Sequence, residues 1–325
     1  MPAPREVEAL VTAARLYYLE NLSQAEVAQR LGTSRSNVSR MLAAAVEQGV
    51  VEIRVNDPAG RERELEEALR VRFGLRAVRV AQRSANGDPE QQVGVQAGRF
   101  LLAELRDGMT VALSWGRALQ SMVWHTTAEH DYAVQLVQLV GGLSAVDNEV
   151  SGHELVRELA SRLGATYRYL HAPAVLTTAA AREALANEQS VEQALEHARR
   201  ADIAFVGIGS PAHGSSAAIV SALALDDEER AQFRKAEAVG DIAARYFDAE
   251  GNAVFGAVYD RVLAVTLDDL ASIPTVVGVA CGRVKAEGVL GALRGRLIDV
   301  LVCDESLARA VLSAGPSDRP TGGNP

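Results

Sequence analysis

Cysteine is scarce: Cys281 and Cys303 are the only two in 325 residues. Two thiols in so long a chain exclude a disulfide framework, and their spacing fits no zinc site. Both lie in apolar, strand-like stretches and read as small buried hydrophobes. The six histidines are scattered, none at metal-ligand spacing from another, so neither a metal site nor a cofactor is expected. No apolar run approaches the roughly 20 residues that a membrane span requires. The N-terminal MPAPREVEAL carries charge where a signal peptide needs an apolar stretch, and a cytoplasmic protein without membrane contact is expected. A basic excess is missing too. The net charge of −9 excludes a protein that coats nucleic acid indiscriminately, so any DNA contact must be small and local. Lysine is nearly absent, with Lys235 and Lys285 alone, which draws attention to both positions.

What is present is an ordinary globular composition, long enough for two domains. Residues 5–20 read as an amphipathic helix, with Val7, Leu10, Val11, Ala14 and Tyr18 at helical spacing. A second helix starts at Ser23, where Ser-Gln-Ala-Glu forms a capping box with Glu26, and runs to about Arg30. Gly32 supplies a turn, and a third helix covers about Ser34 to Gln48. Ala28 is small where two helices approach, Gly32 follows four residues later, and Val38 packs the third helix on the second. Val27, Leu31 and Met41 fill the remaining interior positions. This spacing predicts a helix-turn-helix. On the third helix Val38, Met41, Leu42, Ala45 and Val46 form the inward arc. Ser36, Asn37 and Arg40 point away from it, with Ser34, Arg35 and Ser39 at its edges. A recognition helix puts its N-terminal residues on base edges, where Arg pairs with guanine and Asn with adenine. Arg35, Ser36, Asn37 and Arg40 are the expected base contacts, with Ser34 and Ser39 near phosphates. Residues 1–56 hold as many Arg as Glu, six of each, so a plain solvated helical bundle is the competing reading.

A short strand at Val50–Val55 and the turn formers Asn56-Asp57-Pro58 follow, the latter reading as a linker. Beyond them helices alternate with apolar strands. Strands are expected at Ala77–Ala81, Thr110–Ser114, Val134–Val140, Ala165–Tyr169, Ile203–Ile208, Arg261–Leu267, Thr275–Ala280 and Ile298–Cys303, with a polar loop at Ser84–Pro89. Such alternation implies an α/β domain with a mostly parallel sheet flanked by helices. The expected division is a helix-turn-helix domain at 1–57, an effector domain at 58–314 and a disordered tail at 315–325.

Two strand-to-helix junctions suggest an anion site. Ser114-Trp115-Gly116 ends one strand and leaves free backbone N–H groups at a helix start, with Arg117 adding charge. Cys281-Gly282-Arg283-Val284-Lys285 ends another, and a lysine in a helix's first turn is unfavourable unless an anion sits nearby. Asp241, in GDIAARYFD, can accept from a polyol hydroxyl or cap a helix. Ligands in open α/β sheets collect at the carboxyl ends of the strands.

The motifs LSQAEVAQRLGTSRSNVSRML, LSWGRALQ, LVQLVGG, ADIAFVGIGS, GDIAARYFDAEG and VACGRVKAEGVLGALRGRLIDVLVCDE, in this order, resemble the SorC family of sugar-binding transcriptional regulators. The resemblance runs over nearly all of the chain. It implies a sensor domain with the fold of ribose-5-phosphate isomerase and glucosamine-6-phosphate deaminase. Such a domain binds a sugar, polyol or sugar phosphate, alters operator binding, and assembles as a homotetramer or homodimer. The family's ligand-contacting positions match Trp115-Gly116-Arg117, Gln138, Asp241 and Lys285. Two positions depart from it: Ala118 stands where many relatives carry a Thr hydroxyl, and Cys281-Gly282 replaces a glycine pair. The rival reading is an isomerase or deaminase on the same fold. No convincing acid/base set marks one, and no catalytic residue is assigned. A constitutive DNA-binding protein that has lost its ligand is the third reading.

Overall fold

The computed structural model describes residues 4–51, 60–83, 87–143 and 152–314. The chain divides into two compact units, Met1–Asp57 and Pro58–Pro325. The expected linker and tail lie outside the described residues, as do most of the strand at 50–55 and part of the loop at 84–89.

The first unit is helical: α1 (Pro4–Ala14), continued by a wide turn at Arg15–Leu19, then α2 (Gln24–Leu31) and α3 (Arg35–Glu47). The capping box forms as its sequence dictates. Ser23 Oγ accepts from Glu26 N, and the Glu26 carboxylate accepts from Ser23 N at 2.8 Å. Gly32 ends α2 at φ 64°, a left-handed conformation that suits glycine. Ala13, Leu16, Val27, Ala28, Val38 and Leu42 form one core, while Leu10, Ala14 and Ala45 form another between α1 and α3. Val46, expected inside, is exposed. The rotation of about 100° from Ala45 to the next residue carries it off the strip that α1 covers.

The second unit is built on seven parallel strands. In chain order the strands are β1 (Ala77–Ala81), β2 (Thr110–Leu113), β3 (Gln135–Gln138), β4 (Thr166–Tyr167), β5 (Ile203–Gly207), β6 (Gly240–Ile242), β7 (Arg245–Phe247), β8 (Val276–Ala280) and β9 (Val300–Asp304). The main sheet runs β1-β9-β8-β5-β2-β3-β4, and β6-β7 is a separate antiparallel hairpin. β8 and β9 are buried along their whole length, as expected of strands covered on both faces. From β2 the chain winds outward through β3 to β4. It then returns to β5 and winds the other way through β8 to β9. The reversal point falls between β2 and β5, and a crevice opens there at the strand ends.

Two expectations fail instructively. Arg261–Leu267 is not a strand: a helix at Ala257–Arg261 and another at Leu267–Ala271 flank an extended Val262–Val265. That segment divides its hydrogen bonds between two neighbours. Leu263 N donates to Ala174 O at 2.8 Å and Val265 N to Leu139 O at 2.9 Å, so it makes single bridges rather than a ladder. Asp241 caps no helix, because GDIAARYF is the β6-β7 hairpin. Its turn residues Ala243 and Ala244 both have positive φ, 51° and 62°, the geometry of a tight hairpin turn usually built from Asn and Gly.

The hairpin is fastened by Arg245, whose buried guanidinium donates only to backbone carbonyls among the bonds it makes. Nε donates to Val265 O at 3.0 Å, Nη1 to Tyr259 O at 2.8 Å, and Nη2 to Ala264 O at 2.8 Å and Val262 O at 3.3 Å. The cation also sits 4.3 Å from the centre of the Tyr259 ring. Burial lowers its pKa to about 10, so it stays charged at neutral pH. Arg245→Met removes the donor from the Val262, Ala264 and Val265 carbonyls, while Tyr259 O keeps Val262 N, at about 1–3 kcal/mol for each orphaned one that water cannot reach. The expected outcome is a loss of at least about 3 kcal/mol in urea unfolding of the larger unit; a loss below about 1 kcal/mol contradicts this role.

Candidate functional site

The crevice between β2, β5 and β8 is a cleft of about 660 Å³ with its open mouth included. Segments far apart in sequence wall it. Ser114–Ala118 follow β2, Gly207 ends β5 and Ile208 and Gly209 follow it, Gly214–Ser216 begin a helix, Asp241 and Ala243 come from the hairpin, and Cys281 and Lys285 follow β8. Glu90 reaches it from the helix Pro89–Glu104.

Two helices start at this cleft, Arg117–His125 and Gly214–Ala222, and neither has a side chain bonded to its first amides, their leading residues being Gly116 and His213. Each start is therefore a patch of partial positive charge. A third helix, Ala286–Arg294, continues a short 3-10 turn at Arg283–Lys285, and its Ala286 N donates to Arg283 O. Gly116, at φ 116°, lets the chain turn sharply from strand into helix.

Asp241 forms the floor. It is buried, accepts from Ser216 Oγ and from Ala244 N at 3.2 Å, and thereby braces its own turn. Burial raises its pKa; Ser216, the Lys285 charge and the Ala244 amide pull the other way. Tyr246 Oη donates to Ser216 O, and burial together with Asp241 pushes its hydroxyl pKa well up. Gly209 must be glycine for reasons of space. A Cβ there would lie 1.8 Å from Asp241 Oδ1 and 2.0 Å from Ser216 Oγ.

The other expected residues fall into place unevenly. Ser114 ties β2 to β5, its hydroxyl accepting from Gly207 N at 3.1 Å. Trp115 is buried, whereas Arg117 is largely exposed, its Nε 3.7 Å from Glu90 Oε1. Gln138 does not line the cleft. Its Oε1 accepts from Leu170 N at 2.9 Å, and its buried Nε2 has no partner among the described residues. The space over Gly152 separates that Nε2 from the Trp115 ring. Glu90, Gly209, Ser215 and Ser216 were not among the expected site residues, and Cys281 was expected only as part of its junction. The run His-Gly-Ser-Ser before an apolar stretch was the one available signal for the serines. Cys281 is a poor nucleophile, its pKa pushed up to about 12 by burial and then by the charges of Asp304 and Glu90.

On α3, Arg35, Ser36, Ser39 and Arg40 are exposed. Ser34 is the N-cap, its hydroxyl accepting from Asn37 N at 3.2 Å. Asn37 is half-buried, and its amide donates to Thr33 Oγ1 at 2.9 Å. It lines a groove between α1 and α3 together with Leu10, Met41 and Ala44.

Residues 57–313 match the family described as "Putative sugar-binding domain", and residues 12–62 match the MarR family. The full-length sorbitol operon regulator SorC of Klebsiella pneumoniae superposes with a TM-score of 0.71 at 29% identity, over 95% of this chain and 99% of that one. The chain belongs to the SorC family of sugar-binding transcriptional regulators. Transcriptional regulator LsrR of Enterobacter sp. (strain 638) is 33% identical over 95% of this chain and 94% of its own length. The deoxyribonucleoside regulator of Bacillus subtilis (strain 168) is 31% identical over 93% and 96%. This SorC-family regulator thus joins an N-terminal helix-turn-helix to a sugar-binding domain on a seven-stranded parallel sheet. Among the described residues, no helix is long and apolar enough to cross a membrane.

The raised pKa of Asp241 has a stability consequence of definite sign. The folded state holds this proton more tightly than the unfolded chain. The contribution is fully present below the ordinary aspartate value of about 3.9 and is lost as pH rises through the raised folded value. Asp241→Asn keeps both contacts, its carbonyl accepting from Ala244 N and its amide donating to Ser216 Oγ. The variant should melt higher than wild type at pH 7, with the difference shrinking towards pH 4. A difference independent of pH means that Asp241 is not the titrating group.

Proposed function

We propose that this regulator binds operator DNA through the exposed start of α3, and that a phosphorylated sugar or polyol in the cleft modulates that binding. The observation that carries the reading is the meeting of two uncapped helix starts in one cleft. Together with Lys285 and Arg117, they favour a group of concentrated negative charge. Ala118 offers no hydroxyl, so backbone amides and the two cations must hold that group. Asp241 lies deeper and accepts hydrogen bonds, which suits the hydroxyls of a carbon chain. The relatives named for sorbitol and for deoxyribonucleosides take their names from polyhydroxylated compounds, which agrees.

On the DNA side Arg35, Ser36 and Arg40 stand clear of the core and reach bases, while Ser39 lies near a phosphate. Ser34 and Asn37 are engaged within the unit, so their expected part in DNA contact requires those hydrogen bonds to be exchanged. Two recognition helices, and hence at least a homodimer, read repeated half-sites. Ligand binding that favours one subunit arrangement by about 1–3 kcal/mol changes occupancy several-fold or more. The protein acts in the cytoplasm and turns nothing over. Both Asp241 oxygens already accept hydrogen bonds, which suits a fixed acceptor better than a mobile general base.

The test is a gel shift at stated salt on the DNA upstream of the protein's own gene, with and without sugars, polyols and their phosphates. A specific shift altered by a phosphorylated compound and not by its unphosphorylated parent is expected. A response to the parent alone contradicts the anion site, and turnover of any compound contradicts the regulator reading. Arg40→Ala should weaken specific binding by about 1–3 kcal/mol, the worth of one bidentate base contact; unchanged affinity removes Arg40 from the interface. Lys285→Ala should bind DNA normally and lose the response, and a variant that still responds removes Lys285 from the site.

A further inference from the structure

The cleft and the point where the chain enters the larger unit are joined by two helices with no slack between them. Arg117–His125 begins at the cleft, at Gly116. It lies against Pro89–Glu104, whose first turn supplies Glu90 to the same cleft. Glycines set the closeness of this contact. A Cβ on Gly94 would fall 2.6 Å from the Ser121 backbone carbon, and one on Gly98 would fall 2.8 Å from Thr126 Oγ1. Ser121 Oγ also donates to Glu90 O at 2.9 Å. Backbones in such contact move together, because nothing between them can yield.

Pro89–Glu104 also carries a buried amide, Gln96, about 9 Å along the axis from Glu90 at 1.5 Å per residue. Its Nε2 donates to Gly60 O at 3.2 Å. Gly60 is the first described residue after the expected linker, and the chain there is zipped to the end of β1. Gln82 N donates to Gly60 O at 2.9 Å, and Glu62 N donates to Val80 O at 2.9 Å. Arg61 pairs with the buried Glu66, which also accepts from Val80 N at 2.9 Å. A polar side chain on this helix's buried face needs hydrogen-bond partners, and the Gly60 carbonyl is one of them.

We propose that Gln96 is the positioning residue through which cleft occupancy reaches the linker, with the paired helices acting as one rigid element between them. The inference rests on the cleft being the effector site. A ligand that draws in the start of Arg117–His125, or displaces Glu90, shifts Pro89–Glu104, and Gln96 passes that shift to the Gly60 carbonyl.

The experiment uses the full-length chain as wild type and Gln96→Met, which keeps the side-chain shape and removes the donor. Gln96→Glu is the second variant should the first unfold. Thermal denaturation with ribose 5-phosphate, 2-deoxyribose 5-phosphate, glucose 6-phosphate and sorbitol 6-phosphate first finds the compound that stabilises wild type. Amide hydrogen exchange at Glu62 and Gln82 is then read with and without that compound. In wild type, a change of at least about threefold at both amides is expected, because local opening sets their exchange. In the variant the same rise in Tm is expected without that change. An unchanged exchange rate in wild type, or an equal change in the variant, overturns the inference. Stabilisation by none of the four compounds is seen in wild type alone; it overturns the phosphorylated-effector reading and this inference with it.

Discussion

A helix start leaves backbone amides that must find acceptors, and the functional half of this molecule follows from where they find none. At many starts the chain supplies them. Ser23, Ser34, Asp88, Thr178, Asp226, Thr266 and Asp304 each accept from an amide of the helix they precede. The helices Arg63–Phe73, Gln189–Arg199 and Ala257–Arg261 begin without such a cap, and so do the two led by Gly116 and His213, whose starts line one shared cleft. The parallel sheet makes the convergence possible. Its strands all end on one side, and the reversal between β2 and β5 leaves the gap into which those starts open.

The cleft floor is built from groups that a stable core would avoid. Asp241 is buried with a raised pKa, Ala243 and Ala244 occupy left-handed backbone, and Gly209 is held to zero side-chain volume by its neighbours. Each lowers stability locally, and each is braced by something outside the cleft. Arg245 clamps the hairpin to the chain at 259–265, and Tyr246 fixes Ser216 from behind. Sites that must hold polar groups ready for a ligand carry this kind of local cost.

Where local chemistry decides the structure, the sequence was readable. The capping box at Ser23, the turn at Gly32 and the core residues Ala28 and Val38 lie within sixteen positions, and their spacing alone specifies the helix-turn-helix. The parallel sheet was legible from apolar runs in alternation with helices. The β6-β7 hairpin was not, because its turn is Ala-Ala and carries none of the Asn or Gly that marks such turns. Val262–Val265 misled for the opposite reason: its residues have strand character, and only the tertiary structure divides its hydrogen bonds between two partners. In the cleft, Ser114–Arg117, Asp241 and Lys285 stood out beside glycines or as rare residues. Glu90 occupies an ordinary helix position, and Ser216 is marked only by the run His-Gly-Ser-Ser; their roles come from partners 25 or more positions away. Gln138 came only through resemblance, and its buried amide, without a partner among the described residues, gives it a physical reason to be noticed.

The order in which the cleft's walls occur along the chain has a consequence during synthesis. The cores of the first unit are nearly complete once Ala45 and Val51 have been made, whereas the cleft lacks a wall until Lys285. At about 5–20 residues per second, the ribosome needs roughly 10–50 seconds to cover that interval. Throughout it, a nascent chain can present a folded recognition helix with no means of answering the cell's sugar supply.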